Sequence, residues 1–133
     1  MRQFAKLFLE EEYRQEVLEF FVRANKENHN IIVPTIFSYE FLSIVRYNNI
    51  DFDLSYDILH KHLNTIITEV GVSKSIMQEA IRISRVGNNK SGFPSIYDAI
   101  YHSLAIKNNC DFITLDHKYY QKVKDIGNIR IFC

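Results

Sequence analysis

Apolar positions along this chain recur with two alternating periods, and the alternation predicts its elements. Over 11–28, "EEYRQEVLEFFVRANKEN", Tyr13, Val17, Phe20, Phe21 and Ala24 fall at helical spacing with charges between them, which marks an amphipathic helix. "NHN" ends it. "IIVP" (31–34) is a short apolar run closed by proline, the pattern of a buried strand. A helix over 36–48, "IFSYEFLSIVRYN", follows, with Thr35 placed to cap it. "NNIDFD" reads as a turn, "LSYDILHKHLN" as a helix over 54–64, and the β-branched "TIITEV" as a strand over 65–70. In "KSIMQEAIRISRV" (74–86), Ile76, Ala80 and Ile83 share one helical face, with Met77 and Ile81 beside them. "GNNKSGFP" has the composition of a loop. A helix over Ser95–Asn108, a strand over Asp111–Thr114, a short helix over His117–Val123 and a last strand, "NIRIF", complete the chain.

Short apolar strands that alternate with helices predict an α/β fold: a three-layer sandwich with a short, mostly parallel sheet flanked by helices. A length of 133 residues suits one domain over 1–133 with a single core. In such sheets ligands bind beyond the carboxyl ends of the strands. Attention therefore falls on the residues just after "IIV" and just after "FIT".

Composition narrows the function classes. Hydrophobic residues make up 47% and charged residues 24%, an ordinary globular balance. No basic start leads into an apolar run, and no apolar stretch approaches the roughly 20 residues of a membrane helix. The expectation is a cytoplasmic protein without a membrane partner. Cys110 and Cys133 are too few for a disulfide framework and read as a buried thiol and a chain-end thiol in a reducing compartment. Lys plus Arg and Asp plus Glu both count 16, so any hold on nucleic acid must come from a local patch.

Three acidic residues are the candidates for chemistry. Asp116 directly follows the strand "DFIT" and precedes a helix, where an N-cap would also stand. Ser95-x-x-Asp98, with Pro94 just before it, fits a capping box. Capping alone would account for both aspartates. Glu40 is different. At about 100° per residue, Ile36, Phe37, Phe41, Ile44 and Val45 fill one arc of their helix, and Glu40 lies inside it. A lone carboxylate on a buried face costs on the order of several kcal/mol unless compensated. Either Glu40 reaches water at the rim of the core or it meets a cation. A cluster with Asp98 and Asp116 would be repulsive, and a divalent metal would relieve that repulsion. Hard oxygen ligands select Mg²⁺ or Mn²⁺, which suits hydrolysis of a phosphodiester.

"VPTIFSYEFL", "YDAIYHSLA" and "FITLDHKY" resemble the three later motifs of PIN-domain ribonucleases, above all the VapC-type toxins of toxin–antitoxin pairs. "FAKLFLEEEYRQEVLEFF" resembles the family's first two helices, so the likeness covers nearly the whole chain. The resemblance implies that Glu40, Asp98 and Asp116 are catalytic ligands of Mg²⁺ or Mn²⁺. It implies that the Thr114 hydroxyl orients a neighbouring carboxylate. It further implies RNA as substrate, a cognate antitoxin protein that silences the site, and a homodimer. There is one departure. The family opens with an apolar strand ending in a metal-binding aspartate, whereas this chain begins "MRQFAKLFLEEE" and has no Asp before Asp51. Three accounts stand open: a start assigned too late, an inactive relative, or a replacement supplied by "RQF" or by a partner. Glu10, Glu11 and Glu12 fall on the first helix or its end and read as a solvated face. The alternative function is therefore a catalytically inactive module that binds antitoxin, RNA or itself. A structure-specific nuclease acting on DNA is a weaker third reading, since such relatives carry larger insertions.

The remaining polar residues add little chemistry. His60 and His62 do not share a helix face and make a poor chelate. His102 stands one turn after Asp98 without a second histidine at matching spacing, and reads as packed or near the cleft. His117 and Lys118, just after Asp116, are candidate substrate contacts. Lys118, Lys122, Lys124 and Arg46 are candidates for a basic rim, and Lys90 for a phosphate contact.

Overall fold

The structure is a computed structural model that describes residues 14–63, 65–87 and 92–132. Its elements are α1 (Arg14–Lys26), β1 (Ile31–Pro34), α2 (Ile36–Tyr47), α3 (Phe52–Leu63), β2 (Ile67–Val70), α4 (Lys74–Ser84), α5 (Ile96–Lys107), β3 (Phe112–Thr114), α6 (His117–Val123), a short 3₁₀ turn (Lys124–Ile126) and β4 (Ile129–Ile131). The described residues fall into two compact units that divide between Val70 and Gly71. Each unit holds a parallel pair of short strands with helices packed around it. This is the α/β class that the alternating pattern predicts.

In the first unit β1 pairs with β2 in the register Ile31 to Ile67 through Pro34 to Val70. The Ile31 amide, donating to the Ile66 carbonyl at 2.7 Å, and the Thr35 amide, donating to Val70 at 3.2 Å, extend the ladder at both ends. Thr35 does not cap α2. Its backbone is already helical and its side chain makes no cap hydrogen bond. The amide at this position donates to the Val70 carbonyl in the strand pair, and the backbone is already helical at Thr35, whereas a capping residue has an extended backbone. Phe37, Phe41 and Val45 form the buried stripe of α2. The turn read at "NNIDFD" is shorter than expected, because Asp51 starts α3 at Phe52 by accepting from the Leu54 amide at 3.4 Å.

In the second unit β3 pairs with β4, Phe112 opposite Ile129 and Thr114 opposite Ile131. Ser73 caps α4, its hydroxyl accepting from the Ile76 amide. As the spacing predicts, Ile76, Ala80 and Ile83 are buried, while Met77 and Ile81 stand largely exposed beside them. Ala80 and Ile83 join Ala99 of α5 and Tyr119 and Val123 of α6 in one core, lined by Ile100, Ile106, Phe112, Ile126 and Ile129. Ser103 ties α5 to α4 by donating to the Ile76 carbonyl at 2.8 Å. Cys110 is exposed, contrary to the buried thiol expected of it. It lies in the polar turn between α5 and β3, with Asp111 beside it.

Four of the eleven asparagines have a local backbone role. Asn28, Asn49, Asn109 and Asn128 all adopt left-handed backbone angles, with φ between 52° and 57°, in connections next to helices or strands. Asparagine tolerates that conformation better than other residues with a Cβ. Among the described residues no helix is long and apolar enough to cross a membrane.

Candidate active site: the carboxylates of α5 and α6

Asp116 is built into the exit from β3. The buried Thr114 hydroxyl, at the last strand position, accepts from the Asp116 amide at 3.0 Å. The Asp116 carboxylate in turn accepts from the Tyr119 amide at 3.0 Å and caps α6. Its main chain is thus held from one side and its carboxylate from the other, and the side chain is left half-buried. The N-cap reading of Asp116 is therefore correct.

Asp98 lies in the first turn of α5, also half-buried. The Ser95 hydroxyl caps this helix by accepting from the Tyr97 amide at 3.2 Å, one residue earlier than the capping box requires. A carboxylate in a first helical turn is favoured by the unpaired amides there.

Tyr119 brings the two aspartates into one electrostatic neighbourhood. Its ring is 3% exposed, and its phenol is pushed far above the ordinary tyrosine range. Burial is the largest cause, followed by the negative charges of Asp98 and Asp116. One carboxylate from α5 and one from α6 therefore act on the same neutral hydroxyl.

Behind Tyr119 stands His102, one turn along α5 from Asp98 and fully buried. The Nε2 atom of His102 lies 2.7 Å from the Gly127 carbonyl, and Nδ1 lies 2.9 Å from the Tyr119 hydroxyl. A carbonyl only accepts, so Nε2 carries the proton. In the neutral ring Nδ1 is then the acceptor, and Tyr119 donates to it. Burial pushes the His102 pKa down, against smaller upward pulls from the Gly127 bond and from Glu79. His102 thus packs as a satisfied core residue.

The other candidates stand elsewhere. Glu40 belongs to the first unit, half-buried between Ile36 and Ile44 on the edge of the buried stripe of α2. In the same unit the Ser38 hydroxyl donates to the Glu69 carboxylate at 2.5 Å. Arg46 is exposed in the last turn of α2. His117 and Lys118 are exposed at the start of α6, Lys124 is exposed, and Lys122 is half-buried. His60 stacks on Tyr56 with the ring planes 11° apart, whereas His62 Nδ1 hydrogen-bonds the Ile58 carbonyl at 2.8 Å. Lys90 and Glu10 to Glu12 lie outside the described residues.

The hard oxygens of Asp98 and Asp116 are of the donor type that divalent cations take from carboxylates. Among the described residues, no group of three or more His, Cys, Asp or Glu side chains is gathered to hold a metal ion. Sequence reasoning missed Tyr119 and Gly127 altogether. The one signal for Tyr119 was its position three residues after Asp116, where its amide receives the cap.

No curated protein matches the chain. The family model of the PIN domain matches residues 4–125, a span that includes both aspartates and Thr114. PIN domains are generally divalent-metal-dependent nucleases. A match over most of the 133 residues places this chain in the PIN domain family.

Proposed function

We propose that the chain is a Mg²⁺- or Mn²⁺-dependent endoribonuclease of the VapC toxin type, with Asp98 and Asp116 at the centre of its chemistry. The observation that supports this best is the match of the PIN domain family model over residues 4–125, a span that holds both half-buried carboxylates. Glu40 enters the proposal through its motif resemblance, as a third acidic residue of the reaction.

Asp98 and Asp116 would hold a divalent cation, which would supply Lewis-acid stabilisation of phosphate charge and a more acidic bound water. The chain's own residues do the rest. Thr114 and the Tyr119 amide hold Asp116 in place before substrate arrives, which limits reorganisation during reaction. His117 and Lys118 stand exposed beside Asp116, where side chains of this kind contact a phosphate backbone. Arg46, Lys122 and Lys124 complete the proposed basic set. In this reading the partners are RNA, a cognate antitoxin and a second copy of the chain, and the compartment is the cytoplasm.

Calorimetric titration of Mn²⁺ into the full chain, with Asp98→Asn and Asp116→Asn beside it, tests the proposal. Binding that both variants lose, together with RNA cleavage that both variants lose, is the expected result. Cleavage by Asp98→Asn at the parent rate would overturn the site. No Mn²⁺ uptake at millimolar metal would favour the alternative, an inactive PIN module that binds antitoxin, RNA or itself.

A further inference from the structure

Asp98 lies in the first turn of α5 and Asp116 caps α6, so their relation depends on whatever fixes α5 against α6. The buried pair His102 and Tyr119 spans that junction. Tyr119 gives its amide to the Asp116 carboxylate and its hydroxyl to His102, one turn after Asp98. His102 continues the chain of bonds to the Gly127 carbonyl, beyond the end of α6. Gly127 has φ +87°, a conformation that favours glycine, and a Cβ built there would meet nothing within 4 Å. The requirement at that position is thus for a backbone angle, which sets where the carbonyl points, and not for space. The Phe112 ring packs on both members, its centroid 6.1 Å from His102 and 5.9 Å from Tyr119.

Apolar residues of similar size would hold two helices together without the desolvation cost of an imidazole and a phenol. What the polar pair adds is direction. Hydrogen bonds weaken steeply with misalignment, so they resist the sliding and rotation that apolar contacts allow. The two turns that the bond links are those next to the two carboxylates.

We infer that the His102–Tyr119 hydrogen bond is a positioning device that sets the Asp98 and Asp116 carboxylates relative to each other. Neither residue touches the reacting atoms. The inference rests on the proposed reading of those aspartates as a metal site.

The test compares Tyr119→Phe, which deletes only the hydroxyl, with Ser103→Ala. The latter deletes a comparable buried bond on the same helix, directed at Ile76 instead. Mn²⁺ affinity and thermal unfolding are measured on the full chain. Tyr119→Phe is expected to weaken Mn²⁺ binding roughly tenfold, as loss of a group orienting a ligand does. Ser103→Ala is expected to lower the melting temperature while leaving affinity unchanged. Since Tyr119→Phe could fail to fold, His102→Leu and His102→Gln form a second pair. The glutamine amide still offers one acceptor and one donor, and it should recover part of the affinity that leucine loses. Parent affinity in Tyr119→Phe, or equal weakening in Ser103→Ala, would overturn the inference. Should the parent chain take up no Mn²⁺, the metal reading fails by itself. The device is then judged by the carboxyl ¹³C shifts of Asp98 and Asp116 at fixed pH. Movement in Tyr119→Phe but not in Ser103→Ala supports it, and unmoved shifts overturn it.

Discussion

Asp116 caps a helix and is proposed as a metal-site carboxylate, and two substitutions separate the observed role from the proposed one. Asp116→Ala removes the acceptor of the Tyr119 amide, a 3.0 Å bond at the start of α6. Loss of an N-cap costs about 1 kcal/mol. The loss reaches the core, because α6 carries Tyr119 and Val123, which are 3% and 0% exposed. For a chain of this size the expected fall in melting temperature is about 3–5 °C. Asparagine caps about as well as aspartate, so Asp116→Asn should lie within about 0.5 kcal/mol of the parent. Both substitutions should nonetheless abolish Mn²⁺ binding. Circular-dichroism melts and metal titration on the same samples read the two roles separately. If asparagine destabilised the fold as much as alanine, the capping geometry would not be what matters at this position. If Asp116→Asn bound Mn²⁺ like the parent, capping would account for the residue and the site would fall.

Three further outcomes follow from the same geometry. Because burial depresses the folded-state pKa of His102, the unfolded chain takes up the proton first on acidification. The stability linked to this residue is therefore complete above its unfolded pKa of about 6.5 and is lost as pH falls toward the folded value, by at most about 1.4 kcal/mol per pH unit. Urea unfolding at pH 7 and pH 5 should show a smaller difference in His102→Leu than in the parent, and equal differences would refute the buried neutral ring. Thr114→Val keeps the shape of a buried side chain but leaves the Asp116 amide without its acceptor. A loss of about 1–2 kcal/mol in urea unfolding is expected, with weakened Mn²⁺ binding, and parent values in both assays would contradict the role assigned to the hydroxyl. Val123→Ala at a fully buried core position should cost about 2–3 kcal/mol in the same assay, whereas Met77→Ala at an exposed position of α4 should cost under about 0.5.

Much of the local structure was legible in the residues. The period of Ile76, Ala80 and Ile83 foretold which face of α4 is buried, and the run "DFIT" ahead of Asp116 foretold a strand that ends at a helix cap. These features depend on neighbours within a few positions, which is the range over which sequence pattern acts. Thr35 was misread because its backbone is already helical, on a residue whose amide bonds to Val70, 35 positions away, and no local rule signals either feature. Likewise α3 began early because Asp51 served as its cap where composition suggested a turn.

The acidic candidates divide in the same way. That Asp98 and Asp116 are acidic, open or precede helices, and fit a PIN motif order was set by the sequence alone. That both charges act on the phenol of Tyr119, and that this phenol is bonded to His102 and through it to Gly127, was decided by the tertiary structure. The physical reason is the directionality of buried hydrogen bonds. Residues far apart in sequence satisfy one another only after the core has desolvated them, and a chain read position by position shows which groups need partners but not which partners they find.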